Sequence, residues 1–299
     1  MMCGRFGSNP GRFVLCAALL AFATASCSKI NDGGTGPAGE LQLSSVTSCE
    51  LQTKSVIEGT EFPLEGVIGL SLFNDENGNT SYGDCSNLSF GYNQTESRWI
   101  SKTSVSISNT VYAFAYYPYL GDDFTGIHEI PVASSLNGDD VMYASTQVTV
   151  QDARNVSLTM KHALACISIE LKKDVSYTGD ASLTGITLKG DGIAASGALD
   201  IATGSIVATK ADVSVSVSNC KLSNQSVTEK LLIVPVPVDK PDASQTVEIW
   251  LTIDGHSMGL AFNGDNGIKI KPGVKSTISV TLTSSGVTGV LPDLGHDVL

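Results

Sequence analysis

The sequence predicts an all-β protein of sandwiches or barrels, on two observations. Apolar and polar residues alternate with period two in segment after segment, and clusters of turn residues separate those segments. The alternating segments are 104–108 (SVSIS), 146–151 (TQVTVQ), 156–160 (VSLTM), 166–171 (CISIEL), 212–218 (DVSVSVS), 247–253 (VEIWLTI), 268–271 (IKIK) and 276–282 (STISVTL). Each sets β-branched or aliphatic side chains on one face and mostly Ser, Thr, Lys or Glu on the other, the pattern of a strand with one buried and one wet face. Turn signals stand at Asn77-Gly78-Asn79, Asn137-Gly138-Asp139-Asp140, Gly190-Asp191-Gly192, Asp254-Gly255 and 263–267 (NGDNG). Thirty glycines and few long runs of Ala, Leu, Glu and Lys argue against helices. Only 193–199 (IAASGAL) is expected to coil briefly.

The amino terminus has a different pattern. Arg5 and Arg12 precede an apolar run at 13–22 (FVLCAALLAF), and small residues follow, the layout of a secretory signal over 1–26. Thr24-Ala25-Ser26-Cys27 loosely resembles a lipobox, with Thr where Leu is usual; in that reading the Cys27 thiol carries lipid. The other reading is a cut after Ala25 that leaves Cys27 a plain thiol. A polar, glycine-rich stretch follows Cys27, as an anchored protein needs. No later apolar stretch approaches the ~20 residues of a membrane-spanning helix.

Without the signal, 273 of the 299 residues remain, a length suited to two domains. Losing Arg5 and Arg12 takes the net charge from −12 to −14. Such an acidic surface repels nucleic acid, so no nucleic-acid partner is expected. Setting Cys27 aside, Cys49, Cys85, Cys166 and Cys220 allow three pairings that sequence does not choose between. Cys166 falls in an apolar strand and is expected to be a buried, inert thiol. Pro235 and Pro237 in 231–238 (LLIVPVPV) cannot donate to a ladder, which predicts an edge strand or one that ends at Val234. In 111–120 (VYAFAYYPYL), alternation puts Tyr112, Phe114 and Tyr116 on one face, expected to be core.

No motif for catalysis survives inspection. Gly190-x-Gly192-x-x-Ala195 imitates a dinucleotide fingerprint, but no helix follows to meet a pyrophosphate. Asp75-x-Asn77-x-Asn79 opens like a calcium loop, yet its sixth position is Thr80 and its twelfth Ser86. The four histidines, His128, His162, His256 and His296, lie far apart, and His162 is expected to be a half-buried structural residue. The acid pairs Asp122-Asp123 and Asp139-Asp140 sit in glycine-flanked loops, where solvated turn residues are the rule. The expectation is no enzyme, no cofactor and no metal.

Several stretches in succession resemble the fimbrillin family, the type V pilins of Gram-negative anaerobes and their fimbrillin-like relatives. They are the lipoprotein-type signal, 53–63 (TKSVIEGTEFP), 111–119 (VYAFAYYPY), 139–145 (DDVMYAS), 158–173 (LTMKHALACISIELKK), 231–238 and 268–283 (IKIKPGVKSTISVTLT). The resemblance implies two tandem transthyretin-like β-sandwich domains, exported as a lipoprotein to the outer membrane surface. It also implies that a protease removes the N-terminal strand after a basic residue, usually Arg. The C-terminal segment of another subunit then fills the vacated groove.

Carried onto this chain, the resemblance gives a tether or pro-segment at 27–54, an N-terminal sandwich at 55–173, a C-terminal sandwich at 174–286 and a tail at 287–299. The lipid sits on Cys27, and processing falls between Lys54 and Ser55, with Lys where the family has Arg. The donor residues are Val287, Val290, Leu291, Leu294, Val298 and Leu299, in a segment interrupted by Pro292 that also reads as a simple final strand. The implied function is a fimbrial subunit, major or accessory, whose partners are other fimbrial subunits, whose contact with membrane is through the lipid alone, and which supports adhesion. The alternative is a surface glycan-binding lipoprotein of a nutrient-uptake system. Such proteins show solvent-facing Trp platforms, and this chain has only Trp99 and Trp250.

Overall fold

The computed structural model describes residues 39–49, 62, 64–236, 245–263 and 267–291. Among these the chain is all-β, with twenty-two strands and one short 3-10 turn at Ala153–Asn155. The first strands are β1 (Gly39–Glu40), β2 (Leu43–Ser48), β3 (Val67–Phe73), β4 (Leu88–Asn93), β5 (Arg98–Ser101), β6 (Ser106–Ile107) and β7 (Val111–Tyr117). After them come β8 (Ile130–Ala133), β9 (Ser135–Leu136), β10 (Met142–Val148), β11 (Val156–His162) and β12 (Ala165–Lys173). The second half holds β13 (Ser182–Gly190), β14 (Ile193–Ala194), β15 (Ser196–Asp200), β16 (Ser205–Ala208) and β17 (Val213–Lys221). It closes with β18 (Val227–Pro235), β19 (Val247–Ile253), β20 (His256–Phe262), β21 (Lys275–Thr283) and β22 (Gly286–Val290).

Seven of these strands close into a barrel in the order β10-β11-β2-β5-β4-β3-β7. Closure removes sheet edges, and the interior is filled by side chains such as Leu43, Ile68, Leu70, Phe90, Trp99, Val111, Leu158 and Met160. The second unit is a sandwich of two sheets, β14-β18-β12-β21-β22 and β17-β13-β19-β20. Between them lie Ile167, Ile169, Ile186, Leu188, Leu231, Ile249, Leu251, Ile278 and Val280.

A third core joins the two units. Phe73, Phe114 and Tyr116 from the outer face of the barrel meet Leu164, Cys166, Leu232 and Val234 from the outer face of the sandwich. The small sheet β16-β15-β8 lies at the same junction and contributes Ile130, Val132, Leu199 and Ile206. This explains two long apolar runs. β7 and β12 are buried on both faces, so polar residues have no wet side to occupy. Of the aromatic run, Phe114 and Tyr116 are core as expected and lie in the joint, Tyr112 is only half-buried against it, and Ala113 and Ala115 face the barrel interior. Cys166 is buried there too, and Cys49 and Cys220 are free thiols.

Four expectations need correction. β12 pairs with β18 and β21, so the chain passes from barrel to sandwich at residues 163–164 rather than at 173. Residues 193–199 form β14 and the start of β15 rather than a coil, because both pieces find partner strands. Of the two readings of 231–238 the edge strand fails, because β18 lies inside its sheet, between β12 on one side and the two-residue pieces β9 and β14 on the other. The strand ends at Pro235, one residue past Val234. Pro235 is tolerated at its end because the flanking donors are engaged elsewhere: Val234 N–H bonds Ser134 Oγ at 2.8 Å and Val236 N–H bonds the Gly192 carbonyl at 3.0 Å. Residues 268–271 form no strand, only one bridge from Ile268 to Gln245.

The Asp254-Gly255 turn behaves as the sequence predicts. Both residues have positive φ, 50° and 78°, as a two-residue hairpin turn requires between β19 and β20. The Asp254 carboxylate then reaches back to accept Ser182 N–H at 2.8 Å, Tyr177 O–H at 2.7 Å and Ala181 N–H at 3.0 Å. These bonds, led by the Ser182 amide, hold its pKa below the ordinary 3.8. A depressed carboxylate stabilises the fold above its unfolded pKa, and the contribution is lost as pH falls through the folded value. Amide exchange at Ala181 and Ser182 is therefore expected to accelerate, relative to the intrinsic rate, at pH below the ordinary carboxylate range. Asp254→Asn should remove that pH dependence, and an unchanged profile would refute the assignment.

Candidate functional site

The sequence reading treats 27–54 as a tether, but residues 39–49 are part of the barrel. β2 lies between β11 and β5, parallel to β11 and antiparallel to β5 through the single pair Leu43↔Trp99. The reason it escapes a period-two search is a bulge. Val156 pairs with Leu43 but Ser157 pairs with Ser45, so Ser44 is the extra residue on β2. The inward positions become Leu41, Leu43, Val46 and Ser48, all buried, with a step of three in the middle. A search for strict alternation breaks at that step. Burying the three apolar side chains is worth about 1.5–3 kcal/mol each.

Polar bonds fasten the same segment along its length. Leu41 N–H bonds the Val105 carbonyl and Gln42 N–H the Ala153 carbonyl, both at 2.7 Å. Ser44 Oγ donates to the Val156 carbonyl at 3.0 Å, and Ser45 Oγ to Ser157 Oγ at 2.9 Å. At the far end Cys49 N–H bonds the Met160 carbonyl at 2.7 Å, and His162 Nε2 lies 2.8 Å from the Cys49 carbonyl. His162 Nδ1 contacts the Asp140 carboxylate. His162 is thus structural, as expected, but its partner on the N-terminal segment was not legible from the sequence.

The groove under β2 is apolar. Trp99, Val105, Ile107, Leu158 and Met160 belong to the core that Leu41, Leu43 and Val46 enter. Phe62 stands edge-on to Trp99 with ring centroids 5.5 Å apart. Without β2, the barrel has an open edge on β11 and this apolar floor.

At the other end of the chain, β22 forms a hairpin with β21 at the edge of the sandwich. Val287 and Leu291 are half-buried against the sandwich core, whereas Val290 is 65% exposed. Cys27, Lys54, Ser55, Leu294, Val298 and Leu299 lie outside the described residues. The structure does not bring Val287, Val290 or Leu291 to the groove under β2 of the same chain; they belong to the sandwich.

The remaining candidates resolve as structural. The Asp75 carboxylate accepts the amides of Asn77, Asn79 and Thr80, which hold its pKa down, the Asn79 bond most strongly. These bonds close its own loop. No cluster of three potential metal ligands occurs among the described residues. Asp122 accepts Tyr119 O–H; burial of that phenol, with this bond, pushes its pKa up to about 12. Trp250 faces outward with its indole flat on Gly259, where a Cβ would come within 2.9 Å of the ring. Lys189 Nζ sits 5.5 Å from the ring centroid and Glu248 accepts the indole N–H at 2.9 Å, so sheet neighbours already engage this ring.

A family model described as fimbrillin-like matches residues 56–293. The chain belongs to the fimbrillin-like family. Solved structures with the same fold include a candidate cell adhesion protein from Bacteroides ovatus, at 15% identity and a TM-score of 0.59 over 86% of this chain and 97% of that one. Another, from Bacteroides uniformis, has 17% identity and a TM-score of 0.58 over 85% and 97%. A third, from Bacteroides fragilis, has 13% identity and a TM-score of 0.52 over 87% and 100%. No curated protein sequence matches the chain. At such identities the likeness extends to the fold. The fimbrillin-like match begins beyond β2, so the part of this barrel before residue 56 stands outside the matched residues.

Proposed function

We propose that this fimbrillin-like protein is a structural fimbrial subunit, major or accessory, that supports adhesion and assembles by strand exchange. It is exported through the signal at 1–26 as an outer-membrane lipoprotein acylated on Cys27. The observation that carries the reading is the place of β2. It is the N-terminal strand of a closed barrel, joined to the next described residue through a segment that contains the proposed cut between Lys54 and Ser55. Once cut, only non-covalent contacts hold it. A strand arriving from another subunit then supplies the same ladder bonds and apolar knobs.

The C-terminal tail suits that groove in one register. Leu291 and Leu294 are spaced by three, as Leu43 and Val46 are. Set in this register, Pro292 falls at the position of Ser44, the bulged residue, where strands tolerate proline. To donate, Leu291 must leave its half-buried place in its own sandwich, while Val287 and Val290 lead the segment out. Val298 and Leu299 lie beyond the matched register.

The test uses Lys54→Arg protein cut by an arginine-specific protease. The expected result is loss of residues up to 54 and growth of oligomers by light scattering. Leu294→Asp in the same background should block growth. Cut protein that stays monomeric and fails to bind a peptide of residues 287–299 overturns the strand-exchange reading.

A further inference from the structure

His162 stands at the C-terminal end of β11, with its side chain 10% exposed. Its two ring nitrogens face two different acceptors, the Asp140 carboxylate at Nδ1 and the Cys49 carbonyl at Nε2. Neither acceptor has a proton to give when Asp140 is ionised, so making both bonds requires N–H on both nitrogens, which only the imidazolium has. Neutral imidazole has one N–H. The bond to an ionised carboxylate is the stronger, so the lone proton stays on the Asp140 side and the Cys49 carbonyl loses its donor.

The surroundings hold further charge. Tyr117 and Met142 flank the site on β7 and β10, paired with each other, and Met142 pairs with His162. Asp139, Asp140 and Glu65 all act on Tyr117, and with burial first they push its phenol up. Tyr143 lies near the Cys49 thiol and is pushed up mainly by burial. From the sandwich side Gly273 approaches His162 Cβ, in a turn flanked by Lys271 and Lys275. The other Asp140 oxygen is buried with no hydrogen-bond partner among the described residues, and His162 Nδ1 is in direct contact with this carboxylate.

We propose that His162 is a protonation-dependent latch on β2. As imidazolium it clamps the end of the N-terminal strand, at the Cys49 carbonyl, to Asp140. As pH rises and the ring loses its proton, that end of the strand keeps its ladder bond from Cys49 N–H to the Met160 carbonyl but loses its side-chain clamp. It then frays more readily, while the start of β2 keeps its bulge bonds. The latch rests on the reading that β2 is the strand that leaves, and it makes that departure easier in the less acidic state.

The test follows amide exchange of the full chain between pH 5 and 9, each rate divided by its intrinsic rate at that pH. Protection at residues 46–49 is expected to fall at least about tenfold as pH rises, the loss of one charged hydrogen bond. Its midpoint should coincide with titration of the His162 ring followed by NMR, while β3 to β7 stay level. His162→Gln should be weakly protected and flat throughout, and Asp140→Asn should move the midpoint to lower pH. A flat wild-type profile, a midpoint that does not follow the ring, or an equal loss across the barrel overturns the latch, and none of these readings depends on the variants folding. All are made on uncut monomer. Cut protein that polymerises beside a flat profile therefore refutes the latch alone, and a matching profile beside cut protein that stays monomeric refutes only the subunit reading.

Discussion

Leu43→Ala is expected to destabilise the barrel by about 2–5 kcal/mol, the cost of a cavity at a fully buried leucine. Leu43 is 0% exposed and is the sole residue through which β2 pairs with β5. The loss should fall on the attachment of β2 more than on the barrel as a whole. β3, β4 and β7 hold one another through ladders that do not include β2. In exchange experiments residues 41–48 should lose protection first, and cut protein should release its N-terminal segment faster. Thr47→Ala, at an exposed position on the same strand, loses only a long 3.4 Å bond from its Oγ1 to the Leu158 carbonyl and should cost no more than about 1 kcal/mol. Equal effects from the two substitutions in chemical denaturation would mean that β2 is not anchored by its apolar knobs.

Tyr116→Ala is expected to cost about 3–5 kcal/mol and to uncouple the two units. The ring is 1% exposed in the joint core and lies directly on Gly69, where a Cβ would stand 2.2 Å from ring Cε1. Its hydroxyl donates to Asn87 Oδ1 at 2.6 Å, and Asn87 in turn bonds Ser71 and the Gly121 carbonyl. Truncation opens a cavity in the joint core, beside Gly69 and Phe124, and strands the amide oxygen of Asn87. Calorimetry should show one transition for wild type and two for the variant. Tyr116→Phe keeps the ring and loses only the bond, so it should cost about 1–3 kcal/mol with the single transition intact. One transition for Tyr116→Ala would show that the remaining joint residues carry the coupling without it.

The strands best marked in the sequence are those with one wet face. β11, β19 and β21 all appear where alternation places them, and the Asp254-Gly255 hairpin forms on its turn residues. The fimbrillin-like resemblance was legible from the succession of such segments, and the family match bears it out. The candidate groove was less legible. Its strand β2 carries a bulge at Ser44 that breaks the apolar period, and the sequence just before it, 28–38 (SKINDGGTGPA), is polar and glycine-rich. His162 looked structural, yet nothing near it in the chain points to Cys49, 113 residues away.

Local chemistry alone determined the strands with one wet face, such as β11, β19 and β21, and the Asp254-Gly255 turn, because side-chain alternation and turn residues act over a few neighbours. Partnership was decided only by the tertiary structure. β2 runs beside β11 and β12 beside β21, both parallel pairs that no short turn can specify, and the passage at residues 163–164 follows from those pairings. The physical reason is that a strand displays the same row of amides and carbonyls to any partner. Which partner takes it depends on the apolar faces that closure of the barrel and the joint bury together.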